Sequence, residues 1–124
     1  MKRNVIREKS YAFSIRIVKL YQFLVKEKKE FILSKQLLRC GTSIGANIEE
    51  AIAGISQNDF FYKLTIAHKE CRETHYWIRL LKDTGYLTEE QHSSLIRDVE
   101  ELLKIISSIL ITLSKENKKK NNNS

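Results

Sequence analysis

Apolar positions recur with helical spacing along most of this chain. Phe13, Ile17, Leu20 and Leu24 fall 4, 3 and 4 residues apart, the stripe of an amphipathic helix. Ile15, Val18, Tyr21 and Val25 widen it, and the spacing predicts a first helix from about Ser10 to Glu27. The charged run KEKKE at 26–30 breaks the pattern. Ser34 then stands as a candidate N-cap for a second helix, whose stripe is Leu37, Gly41, Ile44, Ile48, Ala51 and Ile55. Gly54 and Ser56 mark a turn, and Ser56 can cap a third helix. There Phe60, Leu64, Ala67, Cys71, Thr74, Ile78 and Leu81 alternate steps of 4 and 3, a heptad-like seam. Gly85 ends it, as a glycine just past a helix does. Thr88-Glu89-Glu90-Gln91 has the form of a capping box. The fourth helix then carries Leu95, Val99, Leu102, Ile106, Ile109 and Leu113.

The chain has 124 residues and no proline, and its long 3.6-type patterns predict an all-α protein. That length is one domain with one core. Short connections make neighbouring helices antiparallel, so the expected fold is an up-down-up-down four-helix bundle over residues 10–114. Residues 1–9 read as a basic N-terminal arm. Residues 115–124, KENKKKNNNS, hold no apolar side chain and read as a disordered basic, Asn-rich tail. The last two helices are also apolar at flanking positions: Ile66, Trp77 and Leu80; Ile96, Leu103 and Leu110. Faces beyond the one stripe a bundle needs point to self-association.

No stretch approaches the roughly 18 apolar residues of a membrane span, and Arg16 and Lys19 interrupt the segment after the basic start. A cytoplasmic protein without membrane contact is expected. Two cysteines are too few for a disulfide scaffold.

The net charge of +7 lies mainly at the ends. Lys2, Arg3, Arg7 and Lys9 against Glu8 give +3; Lys115, Lys118, Lys119 and Lys120 against Glu116 give another +3; the body carries +1. Basic ends bind RNA or DNA without reading sequence, or are solvated tails. The candidate contacts are Lys2, Arg3, Arg7, Lys9, the cluster Lys26, Lys28, Lys29 and Lys35, and Lys118, Lys119 and Lys120. Tyr11, Tyr21, Phe23, Tyr62 and Tyr76 can stack on bases, although helical spacing favours core or interface roles.

The stretch RCGTSIGANIEEA at 39–51 carries two glycines in a helical pattern, each costing about 1 kcal/mol against alanine. A phosphate cradle needs a loop and a following lysine, and neither is present. A flat helix surface open to close approach explains Gly41, Gly45 and Ala51. Arg39, Ser43, Asn47 and Glu50 fall within one quadrant at about 100° per residue, a polar row beside the core. Pairing across the Gly54 turn sets Arg39 near Glu70 or Glu73, Ser43 level with His68, and Asn47 level with Leu64 or Thr65. The expectation is a structural polar network of Arg39, Ser43, Asn47, Glu50, Glu70 and Glu73.

Catalytic and metal readings are weaker. His68, Cys71 and His75 share a helical face and Cys40 can face them, a donor set for zinc. The competing reading is two buried thiols and two edge histidines. Glu89 and His92 form one Glu-x-x-His, where a di-iron bundle needs two. Ser43, His68 and Glu70 can be drawn as a triad, but a helix-interior serine lacks an oxyanion hole. No enzyme, cofactor or metal is expected.

The segments LLRCGTSIGANIEEA and FYKLTIAHKECRETHYWIRLLKDTGYL resemble the 23S ribosomal-RNA intervening-sequence proteins, over roughly Phe13 to Leu113. Arg39, Ser43, Ile44, Asn47, Ile48 and Glu50 match on the second helix; Lys69, Glu70, Glu73, Tyr76, Trp77 and Leu80 match on the third. Gly41 departs from the more usual alanine or serine, and Ala51-Ile52 stands where a glycine commonly follows the glutamate. The resemblance implies a bacterial four-helix bundle assembled as a homopentameric ring. It also implies kinship to the accessory variability determinant proteins of diversity-generating retroelements, which bind a reverse transcriptase and nucleic acid. The expected function is a non-enzymatic oligomeric scaffold that binds RNA or DNA electrostatically. The alternative is a protein–protein adaptor for a reverse transcriptase or ribosome-associated partner.

Overall fold

The structure is a computed structural model describing residues 2–122, the side chain of Lys2 excepted. Met1, Asn123, Ser124 and the expected Lys2 contact therefore lie outside the described residues. Four helices follow one another: α1 (Lys2–Lys26), α2 (Leu33–Ala53), α3 (Gln57–Asp83) and α4 (Glu89–Asn122), with no strand among the described residues. The seams read from the sequence supply the core. Phe13, Ile17 and Leu24 of α1 meet Leu37, Ile44 and Ile48 of α2, Leu64, Cys71 and Ile78 of α3, and Leu95, Leu102 and Ile106 of α4.

Each helix contacts two neighbours, in the cycle α1, α2, α3, α4. Side-chain pairs fix the register. Arg7 meets Glu49, and Arg39 meets Glu73 while Glu50 meets Lys63. Across α3 and α4, Lys82 meets Glu89, His75 meets Glu100 and His68 meets Ser107. Across α1 and α4, Arg16 meets Asp98 and Lys9 meets Glu101. Across α2 and α3, α3 and α4, and α1 and α4, the numbers fall on one helix as they rise on the other.

Both ends differ from the sequence reading. Residues 2–9 are not an arm: α1 begins at Lys2, and Ile6 is buried in the core. The stripe continues from Phe13 back through Ser10 to Ile6, and Ser10 is itself buried, its hydroxyl donating to the Arg7 carbonyl at 3.1 Å. At the other end, α4 stays helical through Asn122 although no described residue after Leu113 is buried. No glycine or proline stops it, and lysine and glutamate are good helix formers.

The two connections at the far end of the bundle are built differently. Between α3 and α4, Gly85 sits at φ 89°. The Tyr86 N–H donates to Leu81 O at 2.9 Å and the Gly85 N–H to Lys82 O at 3.1 Å, a Schellman closure. Thr88 and Gln91 then cap α4 reciprocally, at 2.9 and 3.1 Å. Between α1 and α2, Ser34 is not the cap. It lies inside the first turn, and Ile32, at the cap position, makes no side-chain cap bond. Instead Glu30 folds back, and its carboxylate accepts the N–H groups of Ile32, Leu33 and Ser34 at 3.2, 3.1 and 2.6 Å. The Ser34 hydroxyl donates to Glu30 O at 2.9 Å. Lys29, at φ 54°, makes the reversal. Ser56 does cap α3, accepting the Asp59 N–H at 3.0 Å. Ile55 is fully exposed rather than part of the second stripe, because α2 stops at Ala53.

Candidate functional site

The glycine stretch lies within α2, and both glycines face α1. A Cβ at Gly41 would stand 2.9 Å from Ile17 Cγ1 and Cγ2. One at Gly45 would stand 3.0 Å from Ser14 Oγ and 3.4 Å from the Ser10 carbonyl oxygen. The two helices thus approach too closely for ordinary side chains, which answers the helix-propensity cost with packing.

The polar row divides. Arg39 bridges to α3: its guanidinium hydrogen-bonds Glu73 and stands 3.6 Å from Glu70. Glu73 also accepts the Trp77 indole N–H at 3.1 Å. The arginine is half exposed while Glu70 is mostly buried, so the cluster sits at the rim of the core. Ser43 and Asn47 instead bond their own helix, donating to the carbonyls of Arg39 at 2.7 Å and Ser43 at 2.8 Å. Glu50 meets Lys63 at 3.8 Å. Among the described residues Arg39, Glu70 and Glu73 form one cluster; Ser43 and Asn47 stay outside it because short side chains find the carbonyl one turn back before they reach α3, and Glu50 reaches α3 at Lys63 instead.

The readings based on catalysis or metal binding find no convergent geometry. His68 shares a 3.0 Å hydrogen bond with Ser107 of α4, not with Ser43. Burial, and then the nearby Arg72 guanidinium, lower its pKa. His75 faces Glu100 at 3.4 Å. Cys40 and Cys71 are buried free thiols. The Thr74 hydroxyl points to Cys40 Sγ at 3.3 Å while bonding Glu70 O at 2.7 Å. Burial raises the Cys40 thiol to about 11, and it raises Cys71 further. Among the described residues no three His, Cys, Asp or Glu side chains are placed to hold a metal ion. Among the described residues His92 makes its ion pair with Glu89, at 3.8 Å.

The expected nucleic-acid contacts fall into two sets. Arg7 and Lys9 are spent internally, on Glu49 at 2.9 Å and Glu101 at 3.0 Å. Arg3 lies over the Phe60 ring at 4.1 Å. Lys26, Lys28, Lys29 and Lys35 surround the α1–α2 turn, exposed and, among the described residues, without a carboxylate partner; Lys28 lies 5.9 Å from the Phe23 ring. Lys118, Lys119 and Lys120 ride the exposed end of α4. Past Glu116, which lies 3.5 Å from Gln57 at the start of α3, α4 overhangs the body.

Two surfaces escaped the sequence reading. The flanking apolar residues of α3 and α4 are half-buried, with Trp77, Ile96, Leu103 and Leu110 against the core. The apolar stripe left in solvent is on α1, where Tyr11, Ile15 and Val18 are 66, 44 and 39 % exposed. On α3, the positions opposite the core are Tyr62, Thr65, Lys69, Arg72, Tyr76 and Arg79, all exposed. The same 4-and-3 spacing that reveals a core face reveals its opposite face, if followed from Tyr62. No helix among the described residues is long and apolar enough to cross a membrane.

The family model described as 23S rRNA-intervening sequence protein matches residues 2–108. Among solved structures, the chain is similar to a protein of unknown function from the S23 ribosomal protein family of Bacteroides thetaiotaomicron VPI-5482. The two share 55 % identity and superpose with a TM-score of 0.88, over 89 % of this chain and 98 % of that one. No curated protein shows significant similarity to the chain.

Proposed function

The chain belongs to the 23S rRNA-intervening sequence protein family, and from that premise we propose a non-enzymatic, cytoplasmic, oligomeric scaffold that binds RNA or DNA electrostatically. Its unit is an antiparallel up-down-up-down bundle, a topology supported by the opposed order of contacts between neighbouring helices, such as Glu49 with Arg7, Gly45 near Ser14 and Gly41 near Ile17. The resemblance to ring-forming relatives supports a homopentamer. The exposed Tyr11, Ile15 and Val18 stripe supplies a surface that self-association would bury.

The observation that carries the nucleic-acid reading is the distribution of unpaired cations. Lys26, Lys28, Lys29 and Lys35 at one end, and Lys118, Lys119 and Lys120 at the other, make no ion pair among the described residues. Repeated around a ring, such clusters become belts of positive potential. Light scattering of the purified chain, before and after nuclease, tests both parts. An assembly larger than a monomer that releases nucleic acid supports the reading. A monomer, or an assembly that binds no mixed RNA and DNA pool at low salt, overturns the corresponding part.

A protein–protein adaptor is the second reading. It is favoured by the surface pairing of Arg7 with Glu49 and Lys9 with Glu101, which neutralises two of the four N-terminal cations. Ile15→Glu separates the roles of the α1 stripe: loss of assembly marks a contact between copies, and an unchanged assembly leaves the stripe to another protein.

A further inference from the structure

We infer that the solvent face of α3 is a binding stripe for single-stranded nucleic acid, in which Lys69, Arg72 and Arg79 hold the phosphates and Tyr62 and Tyr76 stack on bases. The inference deepens the nucleic-acid reading above and rests on it, but uses none of the residues that carry it. At about 100° per residue these five side chains share one arc about 100° wide, opposite the buried seam. From Tyr62 to Arg79 the stripe runs about 26 Å along the helix.

Its cations contrast with those that tie the helices to one another. Arg7, Lys9, Arg16, Arg39, Lys63 and Lys82 each lie against a carboxylate. Lys69, Arg72 and Arg79 are exposed and make no ion pair among the described residues. The one acid on the arc is Asp83, at its end, 3.8 Å from Lys82. Beside the stripe lies a shallow hollow of about 300 Å³, lined by Arg72, His75, Arg79 and Leu103. Its facing acid is Glu100, which His75 engages at 3.4 Å. One turn to either side of Glu100 on α4 stand Arg97 and Lys104, exposed and likewise unpaired.

The aromatic groups fit an unpaired base better than a groove. Tyr62 is 61 % exposed and touches no other ring among the described residues. Tyr76 is braced edge-on by Trp77, with centroids 5.0 Å apart and planes at 75°. The Arg79 guanidinium lies 6.0 Å from the Tyr76 ring. Cations alternating with aromatic rings along a track form a sequence-tolerant single-strand site, since every base has a π-face. Guanidinium groups also grip phosphate with two parallel hydrogen bonds.

The test is anisotropy of a short fluorescein-labelled oligouridine, and of a duplex of equal length, titrated at low and moderate salt. The proteins are the full chain, Arg72→Gln/Arg79→Gln, Arg72→Lys/Arg79→Lys, Tyr62→Ala, and Lys118→Gln/Lys119→Gln/Lys120→Gln. All these positions are exposed, and thermal melting with light scattering confirms an unchanged fold and assembly. The double glutamine variant is expected to bind the single strand about ten-fold more weakly, with a salt slope lower by about 1.4. The lysine pair restores most of the affinity. Tyr62→Ala weakens the single strand about five-fold and leaves the duplex unchanged. Wild-type affinity in the double glutamine variant overturns the stripe while the nucleic-acid reading stands. Equal losses for single strand and duplex in Tyr62→Ala overturn the stacking. A wild-type chain that binds neither probe overturns both readings.

Discussion

The α1–α2 and α3–α4 connections perform the same task at the same end of the bundle, with different chemistry. The α3–α4 turn spreads the work over several residues. Gly85 takes the left-handed position, Thr88 and Gln91 exchange hydrogen bonds, and Lys82 reaches Glu89 at 3.0 Å. That contact lowers the Glu89 pKa and raises that of Lys82. The α1–α2 turn concentrates the work in one buried carboxylate. Glu30 is 8 % exposed and accepts three backbone N–H groups. Burial pushes its pKa up, but those bonds, led by the one from Ser34, outweigh it and hold the carboxyl below its ordinary range. A distributed turn degrades gradually; a concentrated one fails at a single residue.

Substitutions can break this contrast, and Glu30→Ala should have the largest effect. It strands three donors at the start of α2, and a loss of about 2–3 kcal/mol in urea unfolding is expected. Next comes acid. Because the folded Glu30 pKa lies below the unfolded one, its stabilisation is complete above the ordinary glutamate value of about 4.3. It falls away as the pH drops through the lowered value. Stability measured from neutral pH to pH ~3 should therefore decline less steeply in Glu30→Gln than in wild type. Gly85→Ala follows, at about 1–2 kcal/mol. A Cβ there would meet nothing within 4 Å, so the cost is conformational alone. Thr88→Ala should lose about 1 kcal/mol, since the Gln91 half of the box remains. The smallest effect has the opposite sign. Lys29 holds φ 54° without being glycine, and Lys29→Gly should raise the thermal midpoint slightly, by a stabilisation of about 0.5 kcal/mol. Equal losses for Glu30→Ala and Thr88→Ala would erase the contrast.

The same contrast explains what could be read in the sequence. Gly85, Thr88, Gln91 and Ser56 were legible because each acts on a backbone group within a few residues, in a fixed geometry. Glu30 was not: it lies in a run of charges that looks like solvated spacer, and its role appears only when the chain folds back. Ser34 has the look of a cap because serine commonly fills that position, yet the cap position falls to Ile32. The α1 start was hidden by Ser10, a polar residue that interrupts the stripe between Ile6 and Phe13 although it is buried. The glycine contact was legible in kind, but its partner, Ile17 and the Ser10–Ser14 turn of α1, depends on which helix lies alongside. Arg39 with Glu70 and Glu73 followed from register alone, since a long side chain tolerates an error of one turn. Ser43 and Asn47 did not, since short side chains tolerate none.

The two thiols between α2 and α3 have a practical consequence. Cys40 and Cys71 are fully buried and held protonated at neutral pH by that burial, and only the thiolate reacts with alkylating reagents. The intact bundle is therefore silent to iodoacetamide until α2 and α3 part. The chain carries its own stopwatch: the alkylation rate, read by mass spectrometry, clocks the opening of the α2–α3 seam with no engineered label.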